Sequence, residues 1–281
     1  MQKNLVTPEE LAAHLDDPGW VVFDVRHDLA DLEKGRNAYK AGHIPGAYFL
    51  HLDEDLSGAK DGTNGRHPLP EIHTLAKKLN ECGVTPDTQV VAYDESGGCF
   101  AARLWWMLRW LGHEHVAVLD GGLPLWMKEG RPLDDKLPAK REGHFTPRPR
   151  LDASVDVHYV ERTRTDPKVK LVDARTADRY AGRGETLDPV GGHVPGAINR
   201  FWQKNLRGDG RFKPAHELRD ELRNLLGDAN SAQAVHMCGS GVTACHNLFA
   251  MALAGLPGGR LYPGSWSEWC SDPSRPVARE D

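Results

Sequence analysis

Apolar positions in this chain come in short unbroken runs separated by longer stretches of mixed polarity. The runs at 20–25 (Trp-Val-Val-Phe-Asp-Val), 89–93 (Gln-Val-Val-Ala-Tyr) and 115–119 (His-Val-Ala-Val-Leu) lack the alternation of a half-exposed strand and predict strands buried on both faces. Between them, Glu71–Cys82 and Ala101–Leu111 have the length and apolar spacing of helices. The second half repeats the scheme, with strands at 169–173, 232–237 and near 260–262 and helices over Ala215–Leu226 and Thr243–Leu253. Strands separated by helices favour a parallel sheet covered by helices on both faces, so each half is expected to be an α/β unit of this kind. In such sheets sites lie beyond the carboxyl ends of the strands.

The two halves are copies of one pattern. Val-Val-Phe-Asp-Val-Arg (21–26) returns as Lys-Leu-Val-Asp-Ala-Arg (170–175), and Gly-His-Ile-Pro-Gly-Ala (42–47) returns as Gly-His-Val-Pro-Gly-Ala (192–197). Segment 90–98 aligns with 234–242, which pairs Asp94 with Cys238. A period near 150 residues means duplicated domains, because solenoid repeats run to only about 20–50. We therefore expect a first domain at 1–135, a linker at 136–152 with prolines and mixed charge, and a second domain at 153–281. Asp24 with Arg26, and Asp173 with Arg175, are expected to pair and fix the turn after each strand.

Composition narrows the setting. The balance of 35 basic and 40 acidic residues gives −5, which offers nothing to nucleic acid or to an anionic membrane. The N-terminus lacks the apolar core of a signal peptide, and the longest apolar-rich stretch, Phe100–Leu111, is broken by Arg103 and Arg109 and too short to span a bilayer. A soluble, cytoplasmic protein acting on a small or protein-borne substrate is expected. Five cysteines, with no Cys-x-x-Cys pair, argue against a disulfide framework and a zinc site.

Cys238 is the strongest candidate for chemistry. In Ala-Val-His-Met-Cys-Gly-Ser-Gly-Val-Thr-Ala (234–244) a buried strand delivers it into small residues that lead into a helix. Small residues let backbone N–H groups turn inward as an anion-binding concavity, and the positive end of the helix favours negative charge on sulfur. The pattern points to a nucleophile, with a half-buried core cysteine as the alternative. Asp94 in the first copy shows that the fold alone does not demand a thiol there.

Two such repeats, each with Asp-x-Arg and Gly-His-[Ile/Val]-Pro-Gly-Ala and with a reactive cysteine in the second alone, resemble the two-domain (tandem) rhodanese sulfurtransferases over nearly the whole chain. Cys-Gly-Ser-Gly-Val-Thr-Ala, with Gly-Ser-Trp-Ser-Glu-Trp (264–269) downstream, resembles the branch that uses 3-mercaptopyruvate; the thiosulfate branch typically carries Cys-Arg-Lys-Gly-Val-Thr. The resemblance implies transfer of sulfur from 3-mercaptopyruvate through a Cys238 persulfide to cyanide or a thiol acceptor such as a thioredoxin-like protein, with no cofactor and no metal. It implies Arg179 as the carboxylate anchor, Ser240 and His43 as a proton relay, and Gly239, Gly241, Val242 and Thr243 as the loop that holds sulfur. The branch's second arginine is absent from 184–191, which leaves Arg183 as its nearest substitute. His193 occupies the same motif as His43, so a shared structural role is the competing explanation. Gly239 and Ser240 put no cation beside the thiol, which suits a monoanionic carboxylate better than a compact dianion. Thiosulfate as donor and a non-catalytic sulfur-carrier or binding module remain open. A phosphatase of the same fold would need an arginine where Ala244 stands.

Overall fold

The computed structural model of the chain describes residues 4–280. The chain forms two compact units. The first consists of the residues up to Gly58, Pro70–Arg150 and Leu206–Phe212; the second consists of Ala59–Leu69, Leu151–Asn205 and the residues from Lys213 onward.

In the first unit, strands β1 (Leu5–Val6), β2 (Trp20–Asp24), β3 (Tyr48–Phe49), β4 (Gln89–Tyr93) and β5 (Val116–Leu119) lie in the order β1-β5-β4-β2-β3, all parallel. The second unit repeats this with β6 (Lys170–Asp173), β7 (Ile198–Asn199), β8 (Ala234–Met237) and β9 (Arg260–Leu261) in the order β7-β6-β8-β9. The fold is the parallel α/β arrangement that the alternating runs predict. Central strands are buried beyond their first residue: Val90, Val91 and Ala92 in β4 are fully inaccessible, as are Ala234 and Met237 in β8. Helices Ala215–Leu226 and Thr243–Leu253 keep the expected bounds, while Ile72–Glu81 and Ala101–Trp110 are each slightly shorter than expected. Two-residue strands such as β3 and β7 carry too few positions for any period and are invisible in sequence.

The repeated motifs build the same joint in both units. Arg26 donates from Nε to both Asp24 carboxylate oxygens and from Nη2 to the carbonyl of Gly42, 2.7 Å away. Arg175 does the same with Asp173 and Gly192. In each unit a tyrosine hydroxyl closes the motif, Tyr39 on the Ala47 carbonyl and Tyr180 on the Ala197 carbonyl. The motif histidines stack on these tyrosines at 4.0 and 3.7 Å between ring centres.

The expected linker is not a free tether. Residues 136–150 run along the first unit: Tyr48 donates to the Ala139 carbonyl, the Gly143 N–H to the Asn80 carbonyl, and the Arg148 N–H to the Leu111 carbonyl. Phe145 is buried. Extended backbone beside helix ends finds hydrogen-bond partners there, so proline content marked the lack of regular structure but not freedom. The expected bounds of 1–135 and 153–281 also miss two straps. Ala59–Leu69 belongs to the second unit, and Leu206–Phe212 to the first.

Candidate active site

The site of the second unit lies where β8 ends. Cys238 follows Met237, and Gly239–Val242 carries the chain into the helix Thr243–Leu253. The carbonyl of Cys238 accepts from the Trp266 N–H at 3.0 Å and that of Gly239 from the Ser267 N–H at 2.9 Å. The C=O and N–H of one peptide point in opposite directions, so the N–H groups of Gly239 and Ser240 face away from the helix Ser265–Trp269. Ser265 pins the same turn: its Oγ accepts from the Cys238 N–H at 3.1 Å and donates to the Tyr262 carbonyl. It is the one non-glycine with positive φ, 54°, among the described residues. Gly241 also has positive φ, 76°, and a Cβ there would lie 2.4 Å from the Pro263 carbonyl oxygen. Only glycine fits.

Cys238 is 2% exposed and Ser240 5%. Val242 occupies the cap position of the following helix without a side-chain cap bond, so Thr243, the first helical residue, does not act as its N-cap. Burial pushes the Cys82 and Cys270 thiols up to about 12 and about 11, which keeps both protonated near neutrality.

The first unit shows what this loop does with an anion. Asp94, at the position of Cys238, is fully buried and its carboxylate accepts from four backbone N–H groups: Ser96 and Gly98 on one oxygen, Phe100 and Ala101 on the other, at 2.8–2.9 Å. Burial raises its pKa, while the four donors oppose the rise.

The strap Ala59–Leu69 supplies what the sequence reading assigned elsewhere. His67, buried, places Nδ1 2.7 Å from Ser240 Oγ. His43 instead sits in the first unit, fully buried, with Nδ1 2.8 Å from the Tyr39 carbonyl and Nε2 3.2 Å from the Lys136 carbonyl. His193 makes the matching bond to the Tyr180 carbonyl. This geometry gives His43 a structural role and makes His67 the histidine bonded to Ser240. The strap also carries Arg66, which pairs with Asp188 and donates its backbone N–H to Ser267 Oγ.

Arg179 makes a two-pronged pair with Glu185, both bonds 2.9 Å, and reaches Asp188 at 3.3 Å. A Cβ placed on Gly239 would lie 2.8 Å from Arg66 Nη2 and 3.5 Å from Arg179 Nη1, so both guanidiniums meet over the residue after the cysteine. Arg183 does not join them. It binds Asp178 in a pair whose side chains are 54% and 75% exposed. Burial works to raise Glu185, but Arg179 and backbone donors hold it below the usual carboxylate range; burial raises Asp188 against the pull of Arg66. Trp266 and Trp269 are fully buried core residues, and Arg175 lies over the Trp266 ring at 4.7 Å.

Arg66 and His67 were missed because the strap has no apolar period and no motif shared with the second half. The one available signal was an Arg-His pair inside a polar, glycine-bearing loop.

Comparison with known proteins agrees with the repeat. The family model described as a rhodanese-like domain matches residues 7–129 and again 156–272. A probable 3-mercaptopyruvate sulfurtransferase of Pseudomonas aeruginosa is 46% identical, over 99% of this chain and 98% of the relative. A putative thiosulfate sulfurtransferase, SseB, of Mycobacterium tuberculosis is 38% identical over 98% and 96%. The crystal structure of the 3-mercaptopyruvate sulfotransferase SseA from Escherichia coli superposes with a TM-score of 0.82 at 34% identity, covering 94% of this chain and 99% of that one. With both copies matched and relatives aligned end to end, the chain belongs to the rhodanese-like family as a tandem, two-domain member.

Proposed function

We propose that the protein is a sulfurtransferase that takes sulfur from 3-mercaptopyruvate, holds it as a persulfide on Cys238 and passes it to a thiol or to cyanide. The observation that carries this reading is the convergence on one loop of a cysteine, a histidine–serine pair and two guanidiniums. The second unit is the catalytic one, and the first, with Asp94, is its non-catalytic counterpart. The Cys238 thiolate attacks the donor's sulfur, the carbon–sulfur bond breaks, and the electron pair leaves with pyruvate as its enolate. His67 and Ser240 supply the proton that turns the enolate into pyruvate. The loop N–H groups stabilise the outer sulfur as Asp94's carboxylate is stabilised in the first unit. An acceptor thiolate then attacks that outer sulfur, and Cys238 leaves as thiolate. Gly239, Gly241, Val242 and Thr243 shape the loop, and Arg179 binds the donor carboxylate.

The acceptor is a small thiol, cyanide or a thioredoxin-like dithiol, and the reducing cytoplasm suits five free cysteines. No helix among the described residues is long and apolar enough to cross a membrane. Thiosulfate is the competing donor, favoured by the name of the mycobacterial relative. Intact mass spectrometry after mixing with 3-mercaptopyruvate tests the mechanism: the expected result is a gain of one sulfur atom that Cys238→Ser abolishes. An unchanged mass with both donors defeats it. Faster turnover of thiosulfate than of 3-mercaptopyruvate reassigns the donor.

A further inference from the structure

Corresponding straps cover the two corresponding loops, and they are fastened differently. In the first unit Leu206–Phe212 closes on itself through an antiparallel bridge between its two ends. Phe212 is buried, its ring 3.5 Å from where a Cβ on Gly98 of the Asp94 loop would lie, and its N–H donates to Asp120 at 2.9 Å. That strap is an apolar plug. In the second unit Ala59–Leu69 meets the Cys238 loop and its surroundings through polar groups: His67 on Ser240, Arg66 on Asp188, and the Arg66 N–H on Ser267 Oγ at 3.0 Å. Gly65 fits closely, with φ of +84° and the position of a Cβ only 2.7 Å from the Gly264 carbonyl oxygen. The turn before it is exposed and folds on itself, Asp61 accepting from the Thr63 and Asn64 N–H groups and Asn64 donating to the Ala59 carbonyl. A cavity of about 440 Å³ lies against this strap, lined by Asn64, Pro68, Leu69, Asp156, Pro263 and Glu268 among others. Polar contacts beside a void exchange for water at small cost, whereas lifting a buried phenylalanine exposes its whole ring.

We propose that Ala59–Leu69 is a lid on the Cys238 loop, closed while the donor reacts and lifted when the acceptor arrives. Cys238 is 2% exposed, too little for a thiol carried on another protein to line up with the outer sulfur of its persulfide. The donor touches both sides of the closure, because His67 on the strap and Ser240 on the loop handle its proton together, and it therefore favours the closed form. Once pyruvate has gone that bridge is lost, and opening exposes the loaded cysteine. The first unit, with a fixed carboxylate and nothing to transfer, keeps its own strap plugged. The inference rests on the persulfide reading above and adds to it the order of events.

Alkylation of Cys238 in the full chain reads the open fraction without donor or acceptor. The reagent is a maleimide carried on a polyethylene glycol chain, and the labelled peptide is identified by mass. Gly65→Ala sets a methyl group against the Gly264 carbonyl and is expected to speed labelling of Cys238 roughly tenfold or more. Ser267→Ala removes the acceptor of the Arg66 N–H and is expected to speed it roughly 3- to 10-fold, the worth of one hydrogen bond; it decides the matter if Gly65→Ala does not fold. Cys82, Cys245 and Cys270, all buried, are expected to stay unlabelled in both variants, which separates a lid from general loosening. In the wild type, amides of residues 64–67 are expected to exchange with deuterium at least about 100-fold faster than those of β8. Labelling of Cys238 within about twofold of wild type in both variants, labelling of all the buried cysteines together, or equal exchange in strap and strand overturns the lid. A protein that gains no sulfur from 3-mercaptopyruvate overturns the donor reading instead, and since labelling needs no donor the two failures are told apart.

Discussion

His236 makes the second unit acid-sensitive, and the size of the effect can be worked out. It lies on β8, two residues before Cys238, fully buried, with Nε2 2.9 Å from Met251 Sδ and Nδ1 without a partner among the described residues. A thioether offers only a weak acceptor, so nothing there supports an imidazolium. Burial, and then the charge of Arg200, lower its pKa from 6.5 to about 3. A histidine depressed in the folded state is protonated first in the unfolded chain, so stability is complete above about pH 6.5 and falls as pH drops toward about 3. Between pH 7.5 and 5 the one-proton difference integrates to about 2 kcal/mol. Urea unfolding at both pH values, wild type against His236→Gln, isolates this contribution, because Asp94 and the other titrating groups are common to both proteins. The expected outcome is a loss between the two pH values that is larger in wild type by about 2 kcal/mol. Equal losses in the two proteins would refute the assignment.

Two further outcomes follow from the geometry. His67→Gln is expected to slow persulfide formation from 3-mercaptopyruvate by roughly 10²- to 10⁴-fold, and adding Ser240→Ala should cost little more because the pair acts as a unit; multiplicative losses in stopped-flow or mass-resolved kinetics would break that pairing. Asp94→Asn exchanges one acceptor oxygen for an amide that cannot serve two of the four loop donors, so the first unit should lose about 2–5 kcal/mol and the amides of 96–101 should exchange faster with deuterium; protection equal to wild type would contradict the count of bonds.

What could be read from sequence, and what could not, divides by range. The central strands and the helices Ala215–Leu226 and Thr243–Leu253 announce themselves because each buries a local signal, an unbroken apolar run in the strands and an apolar spacing in the helices. Cys238 was legible because strand, small-residue turn and helix are contiguous, and the repeat supplied Asp94 as a comparison. The histidine and second arginine were not, since His67 meets Ser240 across 173 positions and Arg66 meets Asp188 across 122. No local pattern encodes such pairings. His43 drew attention through a motif whose repetition in the second half was itself the sign of structural duty: both copies send Nδ1 to a tyrosine carbonyl.

Asp94 also shows what separates a carrier from a support. Its Cβ, Cγ and carboxylate oxygen trace the same chain of atoms as the Cβ, Sγ and outer sulfur of a cysteine persulfide, and four amides close around it. The first unit thus corresponds to the loaded state of the proposed cycle, with its acceptor bonded to the chain and nothing to give away. In the proposed cycle the second unit would have to fill and empty the corresponding cradle on every turnover. Its loop therefore works only while its grip on sulfur stays weak enough for an acceptor to take it, a bound on affinity that the first unit has been released from.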